Sequence, residues 1–383
     1  MKRLICTLLT LLLLVCCALP AYAADLTFRP DGSLRILLLA DPQDDETPEP
    51  DMAPLIEAAI RKTQPDLIVV LGDLVEDSDV NTAVDQNGEV YELSYDETLD
   101  NCRTAIDAVF APIIDSGIPY TAVLGNNDYK SGLSAEDLYA LLRQQKGILL
   151  PETAVHSDGR ISHVLPVLNA DGTQLLRLFL LDSGTKGVTN EQVRWFDKAN
   201  ADRRIPAIVF QHIPVSEAGY LWQFCFPWEE GAVHRGKFFT LRLNERIARG
   251  NDHGKLWDGN ISAQFLSWKA CGNVIGAYFG HVHDISVEGK YFGTRLGMVY
   301  SDRWNGEFQH GCALLTFDES DVRNYKWTAY RYTGSVVTGD ASLDEETYTP
   351  RPVYTGFAWL RHQWQLFCDY LLTKIGTDSI FEK

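Results

Sequence analysis

Five short apolar runs in this chain each stop at a residue able to bind a cation. They are Leu34–Ala40 before Asp41-Pro42-Gln43, Leu67–Leu71 before Gly72-Asp73, and Thr121–Leu124 before Gly125-Asn126-Asn127-Asp128; then Ile208–Gln211 before His212, and Val274–Phe279 before Gly280-His281-Val282-His283. Apolar runs of this length, interleaved with helical patterns, read as buried strands of an α/β fold. In such folds sites form beyond the carboxyl ends of strands. One Asp or His after a strand is ordinary. Five strand ends that all carry oxygen or imidazole donors form a metal constellation, of about the size two ions require.

The rest of the chain frames these ends. Asp51–Lys62 and Glu97–Ile114 have helical spacing, and Ser134–Asp137 and Thr189–Gln192 resemble capping boxes that open helices. Leu175–Leu181 is a further strand ending at Asp182, and Asp77–Tyr95 is a polar surface insertion. Gly219–Gly259 is long, aromatic and irregular, and its position between His212 and the Gly280–His283 block puts it over the site. Gly293–Tyr300 and Gly311–Phe317 read as strands completing a second sheet.

Residues 1–23 read as an export leader: Lys2-Arg3, the apolar stretch Leu4–Leu19, then Ala21-Tyr22-Ala23 as a cleavage site. That predicts a secreted or otherwise extracytoplasmic protein. The chain's formal charge is −18, and removing Lys2 and Arg3 with the leader takes it to −20. Nucleic acid is therefore excluded as a partner, because binding it depends on basic side chains that neutralise phosphates. A small phosphate ester remains open, since a metal can supply the positive charge. Cys102, Cys225, Cys271, Cys312 and Cys368 survive the leader; their odd number leaves at least one outside any internal disulfide, and none is spaced for a thiolate metal site.

Gly356–Ile375 is amphipathic at helical spacing through Phe357, Leu360, Trp364, Phe367, Leu371 and Ile375. Its polar face lacks the Lys and Arg excess of a membrane-surface helix, so packing on the domain is expected in preference to membrane contact. The expected organisation is a leader (1–23), one catalytic domain (24–350) and a C-terminal helix with its tail (351–383).

Asp41, Gly72-Asp73, Gly125-Asn126, Asp128, His212 and Gly280-His281-Val282-His283 stand in the order D-x-H, G-D, G-N-H-D/E, His, G-H-x-H. Over roughly residues 34 to 318 the chain thus resembles the calcineurin-like metallophosphoesterases, in the branch related to purple acid phosphatases and yeast-type phosphoprotein phosphatases. The resemblance implies a four-layer α-β-β-α sandwich of two mixed sheets. It implies two metal ions, for which iron, manganese and zinc all suit the donors. Asp73 would be their shared ligand, with Asp41, Gln43 and His283 completing one ion and Asn126, His212 and His281 the other. The implied activity is hydrolysis of phosphate monoesters, small or protein-borne, by a hydroxide bridging the metals. The alternatives are a metal- or phosphate-binding pseudoenzyme and a phosphodiesterase for small diesters.

Two positions depart from the pattern. Gln43 replaces a His with a neutral oxygen donor. Asn127 replaces the His that assists the leaving oxygen; it keeps hydrogen-bonding capacity but transfers no proton at neutral pH. Asn127 and Asp128 are the candidate catalytic pair, with Asp128 having a turn role as its rival reading. Asn127 and His253 are candidate substrate contacts, and Trp304 and Tyr129 candidate pocket residues. Glu76 stands where purple acid phosphatases carry their iron-binding Tyr, which excludes a purple chromophore.

Overall fold

The structure, a computed structural model, describes residues 26–76, 79–151, 154–235, 239–303, 310–333, 342–348 and 356–375. The leader and Trp304 lie outside them.

Alternation along the strands explains the layers. In the strand Ser33–Leu39, Leu34, Ile36 and Leu38 face one side and Leu37 and Leu39 the other, and all are buried. A strand buried on both faces needs packing above and below. Leu34, Ile36 and Leu38 meet Leu176, Leu178, Leu180, Ile208 and Phe210 in a core between two sheets. Leu37 and Leu39 meet the helices Met52–Thr63, Tyr95–Ser116 and Ala135–Gln144 in a second core. Phe179, Val209, Ala277 and Phe279 turn to the opposite outer face, onto the helices Asn190–Ala199 and Gln264–Cys271. The order helix, sheet, sheet, helix is the expected four-layer sandwich.

Among the described residues the two main sheets hold nine and six strands, both mixed. In the six-stranded sheet Ser33–Leu39, Leu67–Val70 and Tyr120–Ala122 run parallel and adjacent. In the other, Ala207–Phe210 and Val274–Phe279 run parallel and adjacent. All five strands lead into the donor loops named above.

The expected helices form with the expected caps. Ser134 accepts from the Asp137 N–H, and Thr189 and Gln192 make a full capping box. The polar insertion is an exposed hairpin, Thr82–Val84 with Val90–Glu92. Other expectations need correction. Thr294–Met298 and Gly311–Asp318 do not share a sheet: the first pairs with Val274–Phe279, the second with Ser33–Leu39. Apolar period reveals a strand but not its partner. The region 219–259 is also less irregular than expected. It builds a three-stranded sheet from Trp222–Phe224, Val233–Arg235 and Phe239–Leu243, then lends Ala248–Asn251 to the nine-stranded sheet.

The helix Gly356–Ile375 meets the domain through Trp228, whose Nε1 donates to Gln363 Oε1 at 3.1 Å and whose ring packs against Phe367. Phe357, Leu360 and Trp364 on its apolar stripe stay exposed, so the expected packing is partial. Among the described residues no helix is long and apolar enough to cross a membrane. None of the five described cysteines is in a disulfide.

Candidate metal centre

Pairing between neighbouring loops continues past the strand ends. Asp41 N–H donates to Gly72 O at 3.1 Å, Gln43 N–H to Asp73 O at 3.0 Å and Asp44 N–H to Leu74 O at 3.1 Å. This zips the Asp41 and Asp73 loops together, and it needs unusual backbone. Asp41, Gln43, Asp73 and His281 all have positive φ, between 47° and 73°. Each such residue costs on the order of 1 kcal/mol or more and persists because its surroundings over-determine it. Two glycines allow the close approach. A Cβ on Gly125 would lie 2.2 Å from Asp73 Oδ1, and one on Gly280 would lie 2.6 Å from Asp41 Oδ2. Ser301 Oγ donates to Asp41 O at 2.7 Å, and Asp302 accepts from the Ala40 N–H, fixing the first loop from below.

The donors gather in two groups that share Asp73. One is Asp73, His212 and His281; the other is Asp41, Asp73 and His283; within each, ligand atoms lie within 4.8 Å of one another. In the first group His212 Nδ1–H donates to Leu71 O at 2.8 Å. Its Nε2 therefore faces inward, 3.0 Å from Asn126 Oδ1 and 3.1 Å from Asp73 Oδ2. The His281 ring stands edge-on to that of His212 at 5.2 Å, and the His281 N–H donates to the Asp41 carboxylate.

In the second group His283 Nε2 is 3.6 Å from Asp41 Oδ1. Gln43 stands between His283 and Asp73, with its amide nitrogen 2.9 Å from His283 Nε2 and 3.3 Å from Asp73 Oδ2. Its carbonyl oxygen points the other way and accepts from Arg303 Nη1 at 3.2 Å; the same guanidinium pairs with Glu76. The sequence pattern places Gln43 as an oxygen donor, but here that oxygen faces Arg303.

Two fully buried carboxylates side by side require compensation. Burial raises Asp41 to about 6 against the pull of His212 and His283. For Asp73 burial is outweighed by His212 and by hydrogen bonds, which hold it below its ordinary value. Burial opposes charge on His212, yet Asp73 and Asp41 hold it at about 9. Burial, reinforced by the charge of His212, lowers His281 to about 4. In the first group an imidazole nitrogen and two oxygen acceptors converge; the charged ring holds a proton between them, and a cation would take that proton's place. The mixture of carboxylate, amide oxygen and imidazole suits iron, manganese or zinc.

Asn127 borders both groups. Its N–H donates to Asp73 Oδ1 at 2.7 Å, and its Oδ1 accepts from Asn126 Nδ2 at 2.7 Å and Lys130 Nζ at 2.9 Å. Asp128, foreseen as catalytic with a turn role as its rival, has a structural task in this geometry. One carboxylate oxygen accepts from the Leu74 and Val75 N–H groups and the other from Gly125 N–H, so it clamps the Asp73 loop to the Asn126 turn. Burial and the neighbouring Asp73 raise it to about 7.

Other expected pocket residues point elsewhere. His253 hydrogen-bonds Tyr300 Oη at 2.9 Å, and Tyr129 and Tyr139 both donate to Asp182. The aromatic region does reach the site at its far end, where Asp258 lies 3.7 Å from His281 Nε2. Sequence reading missed Arg303, Lys130 and Ser301. Lys130 follows Asn127 by one helical turn, a spacing that could have revealed it. Arg303 follows no donor pattern.

The sequence profile of the calcineurin-like phosphoesterases matches residues 34–237, more than half of the chain. An Arabidopsis thaliana protein described as probable inactive purple acid phosphatase 29 is 24% identical over 308 residues, covering 71% of this chain and 69% of its own. Probable inactive purple acid phosphatase 28 of the same plant is 26% identical over 301 residues, 63% of this chain and 71% of that one. Among solved structures, a dimetal phosphatase from Danio rerio aligns with 82% of this chain and 99% of its own at 14% identity and a TM-score of 0.46.

Proposed function

Since the chain belongs to the calcineurin-like phosphoesterase family, we propose that it is an exported, metal-dependent hydrolase of phosphate monoesters, small or carried on proteins. The observation that carries this reading is the pair of donor groups, their carboxylates buried, that share Asp73. Asp73, Asn126, His212 and His281 would hold one cation, and Asp41, Asp73 and His283 a second. Bound cations would polarise phosphoryl oxygens and lower the pKa of attacking water.

The chain's own residues supply the rest. Asn127 Oδ1 is held by two donors, which leaves its Nδ2 end to donate to a phosphoryl oxygen. The Lys130 ammonium adds positive charge beside that point. Neither Asn127 nor the clamped Asp128 offers the leaving oxygen a proton as an imidazole would. General acid assistance is worth about 10²- to 10⁴-fold and matters most for poor leaving groups. Activated aryl phosphates are therefore the preferred substrates over alkyl phosphates.

A binding role without turnover is the second reading. It is favoured by the orientation of Gln43 and is consistent with relatives described as probable inactive enzymes. A phosphoester panel at measured metal content, with and without chelator, decides between them. Chelator-sensitive hydrolysis of aryl phosphates supports the enzyme. Protein carrying metal that hydrolyses nothing supports the binder. Intact mass of exported protein beginning at Ala24 would support export; retention of Leu4–Leu19 would contradict it.

A further inference from the structure

The two donor groups are not equivalent, and the difference lies in hydrogen-bond chemistry. A guanidinium has donors only, so Arg303 fixes which end of the Gln43 amide is oxygen. The other end is then NH₂, which also only donates. Its two N–H bonds meet His283 Nε2 and Asp73 Oδ2. His283 must therefore accept, and the lone pair that a cation would need is already engaged.

We propose that Gln43, locked by Arg303, closes the Asp41–His283 half of the centre by placing its amide nitrogen where a cation would sit. The chain then takes one divalent cation firmly in the His212 half and a second only weakly. This rests on reading the two groups as cation sites.

The lock is built into the loop pair. Gln43 N–H donates to Asp73 O, and Gln43 has φ 47°, so its backbone cannot drift from Asp73. Glu76, which anchors Arg303, donates its own N–H to Asp44 O at 2.8 Å. To admit a second cation through its oxygen, Gln43 must turn its amide over. That leaves the NH₂ facing the Arg303 guanidinium, donor against donor. In the other half His212 Nε2 meets two oxygens and, among the described residues, no N–H of a neighbouring side chain.

The test is Mn²⁺ titration of the stripped, full-length protein by calorimetry, followed by electron paramagnetic resonance. Wild type should bind one equivalent firmly, with the spectrum of an isolated ion. A second equivalent should bind at least about tenfold more weakly, with spin coupling appearing only then. Arg303→Met removes a hydrogen bond from a charged group and should tighten the second equivalent by about 10- to 100-fold. Gln43→His should tighten it as well. Should Arg303→Met fail to fold, as judged by circular dichroism and thermal unfolding, Glu76→Gln loosens the same arginine and should act in the same direction. Two equivalents of equal affinity in wild type, coupled from the start, would overturn the proposal while leaving the metallohydrolase reading intact. So would a folded Arg303→Met whose second equivalent is unchanged. Folded wild type that binds no Mn²⁺ would overturn both.

Discussion

The His212 half and the His283 half of the centre draw on the same kinds of side chain, share Asp73, and lie at neighbouring strand ends, yet they differ in what they lack. Around His212 Nε2 the facing groups are acceptors, Asn126 Oδ1 and Asp73 Oδ2. Around His283 Nε2 an amide N–H is already in place. A ligand set is therefore not defined by which residues surround a point. It is defined by whether their lone pairs remain unengaged there, and a single distal arginine can decide that.

The largest effect tests what the halves share. Asp73→Asn should abolish the firm equivalent of the His212 half together with the weak one of the other, and lower any hydrolysis by more than the 10- to 100-fold that changes outside the ligand sphere cause. Full metal content and turnover in this variant, measured by elemental analysis and kinetics, would dissolve the comparison altogether.

Separate substitutions should then split the halves. His212→Ala should remove the firm equivalent seen by calorimetry, whereas His283→Ala should leave it in place and change only the weak one. The reverse outcome would mean that the halves are assigned the wrong way round.

Asn127 touches both halves through Asp73, so its effect should fall on substrate more than on metal. Asn127→His should raise turnover of alkyl phosphates by about 10²-fold or more and change aryl phosphates little, at matched metal occupancy. A slowed alkyl reaction would make Asn127 an adapted substrate contact rather than a lost acid.

The smallest effect concerns a histidine remote from both halves, and it isolates what partners contribute. His163 is as buried as His212, but no carboxylate pairs with it, and burial alone lowers it to about 3. It donates to Thr121 Oγ1 at 3.0 Å as a neutral ring. The unfolded chain binds that proton near the ordinary value of about 6.5, so stability should fall as pH drops from there toward 3, by at most about 1.4 kcal/mol per pH unit. Chemical denaturation across this range should show a shallower slope in His163→Gln. An unchanged slope would remove His163 from the acid response.

Much of this was legible in the sequence because it is local. Apolar runs ending at Asp41, Asp73, Asn126, His212 and His281 mark strands and donors together, and the layered sandwich follows from strands buried on both faces. What was not legible depends on partners distant in the chain. Arg303 lies 260 residues from Gln43, and no periodicity connects them. Asp128 read as catalytic by its position in a motif, but backbone N–H groups of residues 74 and 75, more than 50 positions away, claim its carboxylate. Thr294–Met298 and Gly311–Asp318 have the same apolar signature yet enter different sheets, because partner choice is set by the whole packing.

The centre also has a mechanical meaning. Asp41, Asp73 and Asn126 hang from the six-stranded sheet, while His212, His281 and His283 hang from the nine-stranded one. A cation gripped from both sides would act as a rivet through the seam, adding to the hydrogen bonds from His212 to Leu71 O and from the His281 N–H to Asp41 that already join the layers at that end. Its binding energy then counts toward keeping the layers together. Metal supply would tune the lifetime of the folded molecule as well as its chemistry, and a scavenger of cations would loosen the sandwich from its functional end first.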